Sequence, residues 1–160
     1  EKIEEHPFLQ RIGPDILNPN LTWREVAERL QSKAFSGRAL NSVYLDQAFL
    51  AGLGNYLRSE ILFVAGIHPA KKARELSKGE IGKLARATLD ISQRSYALRG
   101  VTIPDRQYKA LKKKGVSYGK ARFFVFSRAN QPCRVCKTKI QRSSANSRRI
   151  YTCAGCQPND

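Results

Sequence analysis

Cys133, Cys136, Cys153 and Cys156 are the residues whose type and spacing most plainly carry chemistry, forming two C-x2-C pairs separated by 16 residues. Two residues between paired cysteines let a tight turn aim both sulfurs at one point, and two such turns complete the tetrahedron that Zn2+ takes in a closed site. Four thiolates leave no open position for a catalytic water. The expected cofactor is therefore one structural Zn2+, holding together a segment too short to bury a core of its own. Two disulfides are the alternative, but no secretion signal accompanies the cysteines and all four fall within the last 28 residues.

A second candidate is the turn Gly52-Leu53-Gly54-Asn55 between two helical patterns. Glycines there could let the backbone approach a phosphate, with the next helix offering unpaired N–H groups and Asn55 adding an amide donor. They could equally serve only to reverse the chain. A dinucleotide fingerprint is excluded, because the third glycine would fall on Leu57 and no strand precedes the turn.

The elements that must position these residues read as follows. Residues 1 to 20, rich in Pro, Gly, Asn and Asp, read as a linker lying over a surface. Thr22 with Glu25 forms a capping-box pattern, and Trp23, Val26, Ala27 and Leu30 carry helical spacing through about Phe35. A second helix is expected from about Asn41 to Ala51, and a third from Tyr56 to Ala65, stopping at Gly66. Ser77 with Glu80 caps a fourth, which ends near Gly100. The stretch 106–122, with Lys112, Lys113 and Lys114 at its centre, reads as a basic loop. Phe123 to Phe126 reads as a strand, with two more around Thr138 to Arg142 and Arg148 to Thr152. The fold expected is mainly α, a small four-helix unit over 21–105, followed by a β-hairpin zinc finger over 123–157 and a tail at 158–160.

Charge is unevenly placed. The 160 residues carry a formal +16, with a net −1 over residues 1–60 (7 basic, 8 acidic) and +17 over residues 61–160 (22 basic, 5 acidic). That excess points to an acidic partner, nucleic acid before any other. The longest uninterrupted apolar run, Ile61 to Ala65, is far too short to span a bilayer, so no membrane role is expected. Glu1-Lys2-Ile3-Glu4-Glu5 does not read as a signal peptide, and the absence of Met reads as a processed product or an excised piece of something longer.

The stretch Leu45 to Leu62, with Ala65-Gly66-Ile67-His68-Pro69 behind it, resembles the helix-two-turn-helix of the formamidopyrimidine-DNA glycosylase and endonuclease VIII superfamily. The ending Arg148-Arg149-Ile150-Tyr151-Thr152-Cys153-Ala154-Gly155-Cys156-Gln157 resembles that superfamily's C-terminal zinc finger. Ser95 to Gly100 and the wording around Leu53-Gly54-Asn55-Tyr56 look closer to endonuclease VIII. The resemblance implies a DNA glycosylase and abasic-site lyase that removes oxidised bases, pyrimidines in particular, acting as a monomer on damaged or abasic double-stranded DNA in a bacterial cytoplasm, associated with the nucleoid. It covers about Pro7 to Gln157, the C-terminal half of the family's architecture. The family's catalytic N-terminal Pro and Glu have no counterpart here, since Pro7 is internal and its nitrogen is locked in an amide. This stretch alone is expected to bind and not to catalyse.

The same resemblance assigns DNA contacts to Asn55 and Arg148, with Gly52 and Gly54 in the turn and Arg149 beside Arg148. Arg148 would also be a candidate proton donor in the final elimination, although a guanidinium suits a charge clamp better. Tyr151 and Phe124 read as packing around the metal, His6 and His68 as surface or packing residues, and Glu60 as a hydrogen-bonding residue within the helical unit. Lys112 to Lys114 could touch phosphates or be solvated. The rival readings are a non-enzymatic zinc-ribbon protein that binds RNA or ribosomes, and a protein-interaction module whose charge serves only solubility.

Overall fold

The computed structural model describes residues 12–159. His6, Pro7 and most of the expected linker lie outside those residues, as does Asp160 of the tail. Among the described residues, six α-helices precede one β-hairpin: α1 Trp23–Gln31, α2 Leu40–Val43, α3 Asn55–Ala65, α4 Lys78–Ala97, α5 Asp105–Lys113, α6 Tyr118–Ala121, β1 Gln141–Ala145 and β2 Arg148–Thr152. A 3-10 turn, Ala73–Glu75, lies between α3 and α4. The mainly helical architecture with a small C-terminal hairpin is the one expected.

α3 is the centre of the molecule. Eight of its eleven residues are buried, which requires neighbours on nearly every side. Ile61 and Leu62 join one core with Val26 and Leu30 of α1 and Leu84 and Ile91 of α4. Phe63 belongs to a second core with Val101, Ile103, Phe124, Val125, Ile140 and Tyr151. Gly66 ends the helix in the left-handed region, at φ 72°, and the N–H of Ile67 returns to the Leu62 carbonyl at 3.0 Å. α4 begins as its capping box requires, Ser77 Oγ accepting the Glu80 N–H and Glu80 accepting the Ser77 N–H. At α1 only half the box forms. Thr22 Oγ1 accepts the Glu25 N–H at 3.2 Å, while the Glu25 carboxylate takes the Thr22 hydroxyl in place of its N–H.

Several elements differ from the sequence pattern, each for a local reason. α1 stops at Gln31, where Ser32 turns extended and donates its hydroxyl to the Arg29 carbonyl. The helix expected from Asn41 to Ala51 is limited to Leu40–Val43. Beyond it, Asp46 Oδ1 takes the Ala48 N–H at 2.9 Å, and the Arg29 guanidinium takes the carbonyls of Ala48 and Phe49 at 2.6 and 2.7 Å. The stretch expected as a basic loop holds α5 and α6, with Asp105 in the first turn of α5 and Lys112 and Lys113 in its last, the charge order a helix dipole favours. Tyr108 and Leu111 dock α5 on the second core. The first hairpin strand begins at Gln141, because 137–140 fold back on the cysteine turn, the Cys133 N–H reaching the Thr138 carbonyl at 2.8 Å.

Phe123 to Phe126 is not a strand. The N–H groups of Phe124, Val125 and Phe126 all donate to the buried Glu60 carboxylate, at 2.6, 2.8 and 3.0 Å, and the Thr102 hydroxyl donates to Glu60 Oε1. On the carbonyl side, Arg134 Nε donates to Phe123 at 2.9 Å and Arg128 Nη1 to Phe124 at 2.7 Å. Side chains thus satisfy the backbone groups that a sheet would have paired. Burial holds the Glu60 carboxyl above its ordinary range, against the four donors, which act in the opposite direction. Glu60 is a structural hydrogen-bonding residue, as expected, but beside Thr102 its partners lie outside the helical unit, at Phe124, Val125 and Phe126.

Glu60→Ala is expected to lower stability by about 3–5 kcal/mol, because it orphans two buried N–H groups and one half-buried one and uncovers the Arg128 and Arg134 charges. Urea denaturation would check this. A loss below about 1 kcal/mol, the worth of one ordinary hydrogen bond, would mean that the loop finds other partners.

Candidate nucleic-acid interface and metal centre

The four cysteine sulfurs lie within 4.8 Å of one another and none is in a disulfide. Cys133 and Cys156 Sγ are 3.8 Å apart, Cys136 and Cys153 Sγ 3.3 Å. A tetrahedron of Zn–S bonds of about 2.3 Å has edges of roughly 3.8 Å, so the donor set fits zinc in size as well as chemistry. The N–H groups of Val135 and Cys156 point at the sulfurs of Cys133 and Cys153, each at 3.4 Å, favouring thiolates. The Thr138 hydroxyl, 3.3 Å from Cys136 Sγ, helps hold that thiol down at about 6. Burial pushes Cys153 and Cys156 up, and neighbouring thiols push Cys156 further. A dication would relieve that crowding. Thr138 and Gly155 were not singled out in the sequence. A Cβ on Gly155 would lie 2.9 Å from both Cys136 Sγ and Thr138 Oγ1, and the readable sign was a glycine directly before the last cysteine.

The finger is tied to α3 at several points. Gln157, 1% exposed, accepts the Cys153 N–H and donates to the Ile67 carbonyl just past the end of α3. The Tyr151 N–H donates to Ser59 Oγ at 3.2 Å. Tyr151 packs on Phe126 at 5.0 Å between ring centroids and Phe124 on Phe63 at 5.3 Å, with Tyr151 and Phe124 both buried, as packing residues should be. At the other end of α3, Asn55 Nδ2 donates to the Arg149 carbonyl at 3.0 Å. The Asn146-Ser147 turn, with φ of 59° and 60°, brings the hairpin tip there.

Arg58, fully buried and unremarked in the sequence, completes this junction. Its guanidinium donates to the carbonyls of Asn41, Ala145 and Arg149 and to the side-chain oxygens of Asn55 and Asn146. Burial, with the adjacent Arg148 charge acting in the same direction, lowers it to about 10. The ion pairs among the described residues are Arg38–Asp46 and Lys109–Asp105, and neither is at this site. Arg58 is therefore solvated by neutral oxygens, and among the described residues neither it nor Arg148 or Arg149 is in an ion pair.

The N–H groups of Asn55, Tyr56 and Leu57 at the start of α3 have no hydrogen-bond partner among the described residues. They open an eleven-residue helix beside exposed Arg148 and Arg149. Gly54, the residue before the helix, meets no atom within 4 Å of an added Cβ, so its surface is open. Gly52 serves the turn itself. Its φ is 97° and its own N–H is taken by Gln47 Oε1 at 2.9 Å, so it offers no donor to an anion. Lys112, Lys113 and Lys114 lie on α5 and at its end, exposed and outside this junction. His68 Nδ1 accepts the Ala70 N–H, a turn role.

An open helix start clasped to a four-cysteine hairpin of zinc-binding size defines the class, a mainly helical unit joined to a C-terminal zinc finger. The formamidopyrimidine-DNA glycosylase H2TH domain matches residues 12–107, and the chain belongs to that family. It is 46% identical over 157 residues to endonuclease 8 of Escherichia coli and of Shigella sonnei, covering 98% of this chain and 56% of each relative. The chain thus spans about half the length of the curated relatives it matches. Among solved structures, the MutM (Fpg) protein of Thermus thermophilus superposes with a TM-score of 0.75 at 28% identity, over 98% of this chain and 57% of that one. The Lactococcus lactis Fpg in complex with abasic-site DNA gives 0.73 at 27% identity, over 95% and 54%. No helix among the described residues is long and apolar enough to cross a membrane.

Two outcomes follow from this geometry. Cys153→Ser is expected to drop bound zinc from one per chain to none, measured by metal analysis, and to melt the 130–157 segment while α1–α4 stay folded. Dispersed amide signals from that segment without metal would overturn its structural role. Arg58→Ala is expected to cost about 1–3 kcal/mol by orphaning half-buried acceptors and to free the hairpin tip, read by amide exchange at 143–149.

Proposed function

We propose that this chain is the DNA-holding part of a base-excision-repair glycosylase and abasic-site lyase of the endonuclease VIII type. The observation that carries the reading is the pairing of unpartnered N–H groups at the start of α3 with exposed Arg148 and Arg149, around buried Arg58, at a place without a carboxylate among the described residues. Backbone phosphates near a damaged nucleotide would accept from those N–H groups and from the Asn55 amide on one side. Arg148 would clamp the strand from the other, with Arg149 beside it.

Two cationic anchors on one duplex favour a kinked path, which lowers the cost of turning a nucleotide out of the stack. Base removal and strand cleavage need a nucleophilic amine and an acid–base carboxylate, which the described residues do not pair at this site. In this reading those groups come from the part of the relatives' length that the chain does not span. Arg148 acts as a charge clamp on the leaving phosphate, since a guanidinium gives up its proton poorly near neutral pH. The working environment is the bacterial interior, at the nucleoid.

Fluorescence anisotropy on matched duplexes, with and without one stable abasic-site analogue, tests the proposal across a salt series and against structured RNA. The expected result is duplex binding whose affinity falls steeply with salt and is tighter on the abasic duplex. Preference for RNA with indifference to the abasic site would overturn it. Arg148→Ala, whose side chain holds no other part of the described fold, is expected to reduce the slope of log K against log salt by about 0.9 per phosphate lost, with melting unchanged. Asn55→Ala should weaken binding too, and it also removes the contacts to Arg58 and Arg149.

A further inference from the structure

A strongly cationic region lies away from the α3–hairpin junction. Residues 104–134 hold nine basic side chains and one acid, Asp105, whose carboxylate is paired with Lys109 at 2.9 Å. α5 buries none of its own residues and docks only through Tyr108 and Leu111, so Arg106, Lys112 and Lys113 stand in solvent. Between α5 and the chain that follows is a cleft of about 330 Å3, bordered by Leu111, Lys120, Ser127, Arg128, Gln131 and Arg134. A second, of about 270 Å3, shares Leu111, Arg128 and Arg134 and adds Lys137.

The direction these guanidiniums face follows from two successive peptide groups. In the Phe123–Phe124 peptide, the N–H donates to Glu60 and the C=O accepts from Arg134. In the Phe124–Val125 peptide, the N–H donates to Glu60 and the C=O accepts from Arg128. A trans peptide points its N–H and C=O in opposite directions. Arg128 and Arg134 therefore lie across the backbone from Glu60, on the cleft side, and neither is in an ion pair among the described residues. Arg134 donates through Nε and Nη2, and Arg128 through Nη1 and Nη2, all to carbonyls. Arg134 Nη1 and Arg128 Nε, which make no hydrogen bond to the described residues, are left for a ligand.

We propose that this cleft is a second phosphate site, in which Arg128, Arg134 and Lys120 hold a phosphodiester of the DNA strand beyond the segment gripped by α3 and the hairpin. The proposal rests on the DNA-binding reading above. It makes the cationic helix α5 a rail along the flanking backbone, adding affinity that is independent of damage.

The test is an NMR titration of the whole chain, following the guanidinium Nε–H signals of Arg128 and Arg134 and the Asn55 side-chain amide. The probes are inorganic phosphate and an undamaged duplex of about two helical turns. Saturable movement of both arginine signals with the duplex is expected. Lys120→Ala removes only a side chain, because the contact at that residue is its carbonyl with Arg134. It is expected to leave melting unchanged and to reduce the salt slope by about 0.9. Movement of Asn55 without the arginines would overturn the second site and leave the interface reading standing. Movement of neither with the duplex would overturn both. Arginine signals that answer inorganic phosphate and ignore the duplex would mean a phosphate-ion site, overturning the assignment to a strand.

Discussion

The structure depends on a carboxylate and two guanidiniums held apart by two peptide groups. Glu60 accepts from the N–H ends of the Phe123–Phe124 and Phe124–Val125 peptides, and Arg134 and Arg128 donate to their C=O ends. Each peptide dipole thus lies with its positive end on the anion and its negative end on a cation. Low surrounding dielectric strengthens such an arrangement, and each bond polarises the next. A direct Glu–Arg pair would have neutralised the same charges without ordering the loop. Here the loop itself is the medium between them, so the electrostatic energy is available only when residues 123–126 take this path.

That constraint explains how the helical and cysteine-bearing parts become one body. Arg58, Ser59 and Glu60 are consecutive, all fully buried, and each grips a different piece of the C-terminal region: the hairpin tip, the second strand and the 123–126 loop. Three successive residues on a helix point about 100° apart, so they reach three directions from a single turn. Gln157 adds a fourth tie beyond the helix end. Zinc orders the finger internally, and these polar ties set where the finger sits against α3. The two roles are separable in principle, since the cysteines make no hydrogen bond to any of the three α3 side chains.

The legible parts of the sequence were those whose signal is local. The capping boxes, the glycine stop at Gly66 and the cysteine spacing each depend on residues within a few positions of one another. The illegible parts depend on partners far along the chain. Phe123-Phe124-Val125-Phe126 has the composition of a strand, and nothing near it reveals that a carboxylate 64 residues earlier takes the Phe124 N–H. Arg58 looks like any exposed helix residue until the hairpin tip, 88 residues later at Asn146, closes over it. The α2 segment keeps helical spacing in its apolar residues because they face the same core, although Asp46 and Arg29 turn its backbone out of the helix. For the candidate interface, Asn55 and Arg148 came from resemblance, whereas Arg58, which donates to Asn55 Oδ1 and to the Arg149 carbonyl, gave no sign in the sequence.

The burial of Arg58 also bears on why this place suits an anion. A buried cation is normally paired with a carboxylate, which satisfies its hydrogen bonds and cancels its field together. Carbonyl and amide oxygens here accept from both Nη groups of Arg58, leave its Nε without a partner among the described residues, and do not cancel the field. The positive potential therefore survives at the surface, where the free N–H groups of α3 and the side chain of Arg148 add to it. Replacing any of those neutral acceptors with a carboxylate would stabilise Arg58 and weaken the attraction for a phosphate in the same step. Stability and binding pull against each other at this junction, and the fold resolves the conflict by supplying oxygen acceptors that carry no net charge.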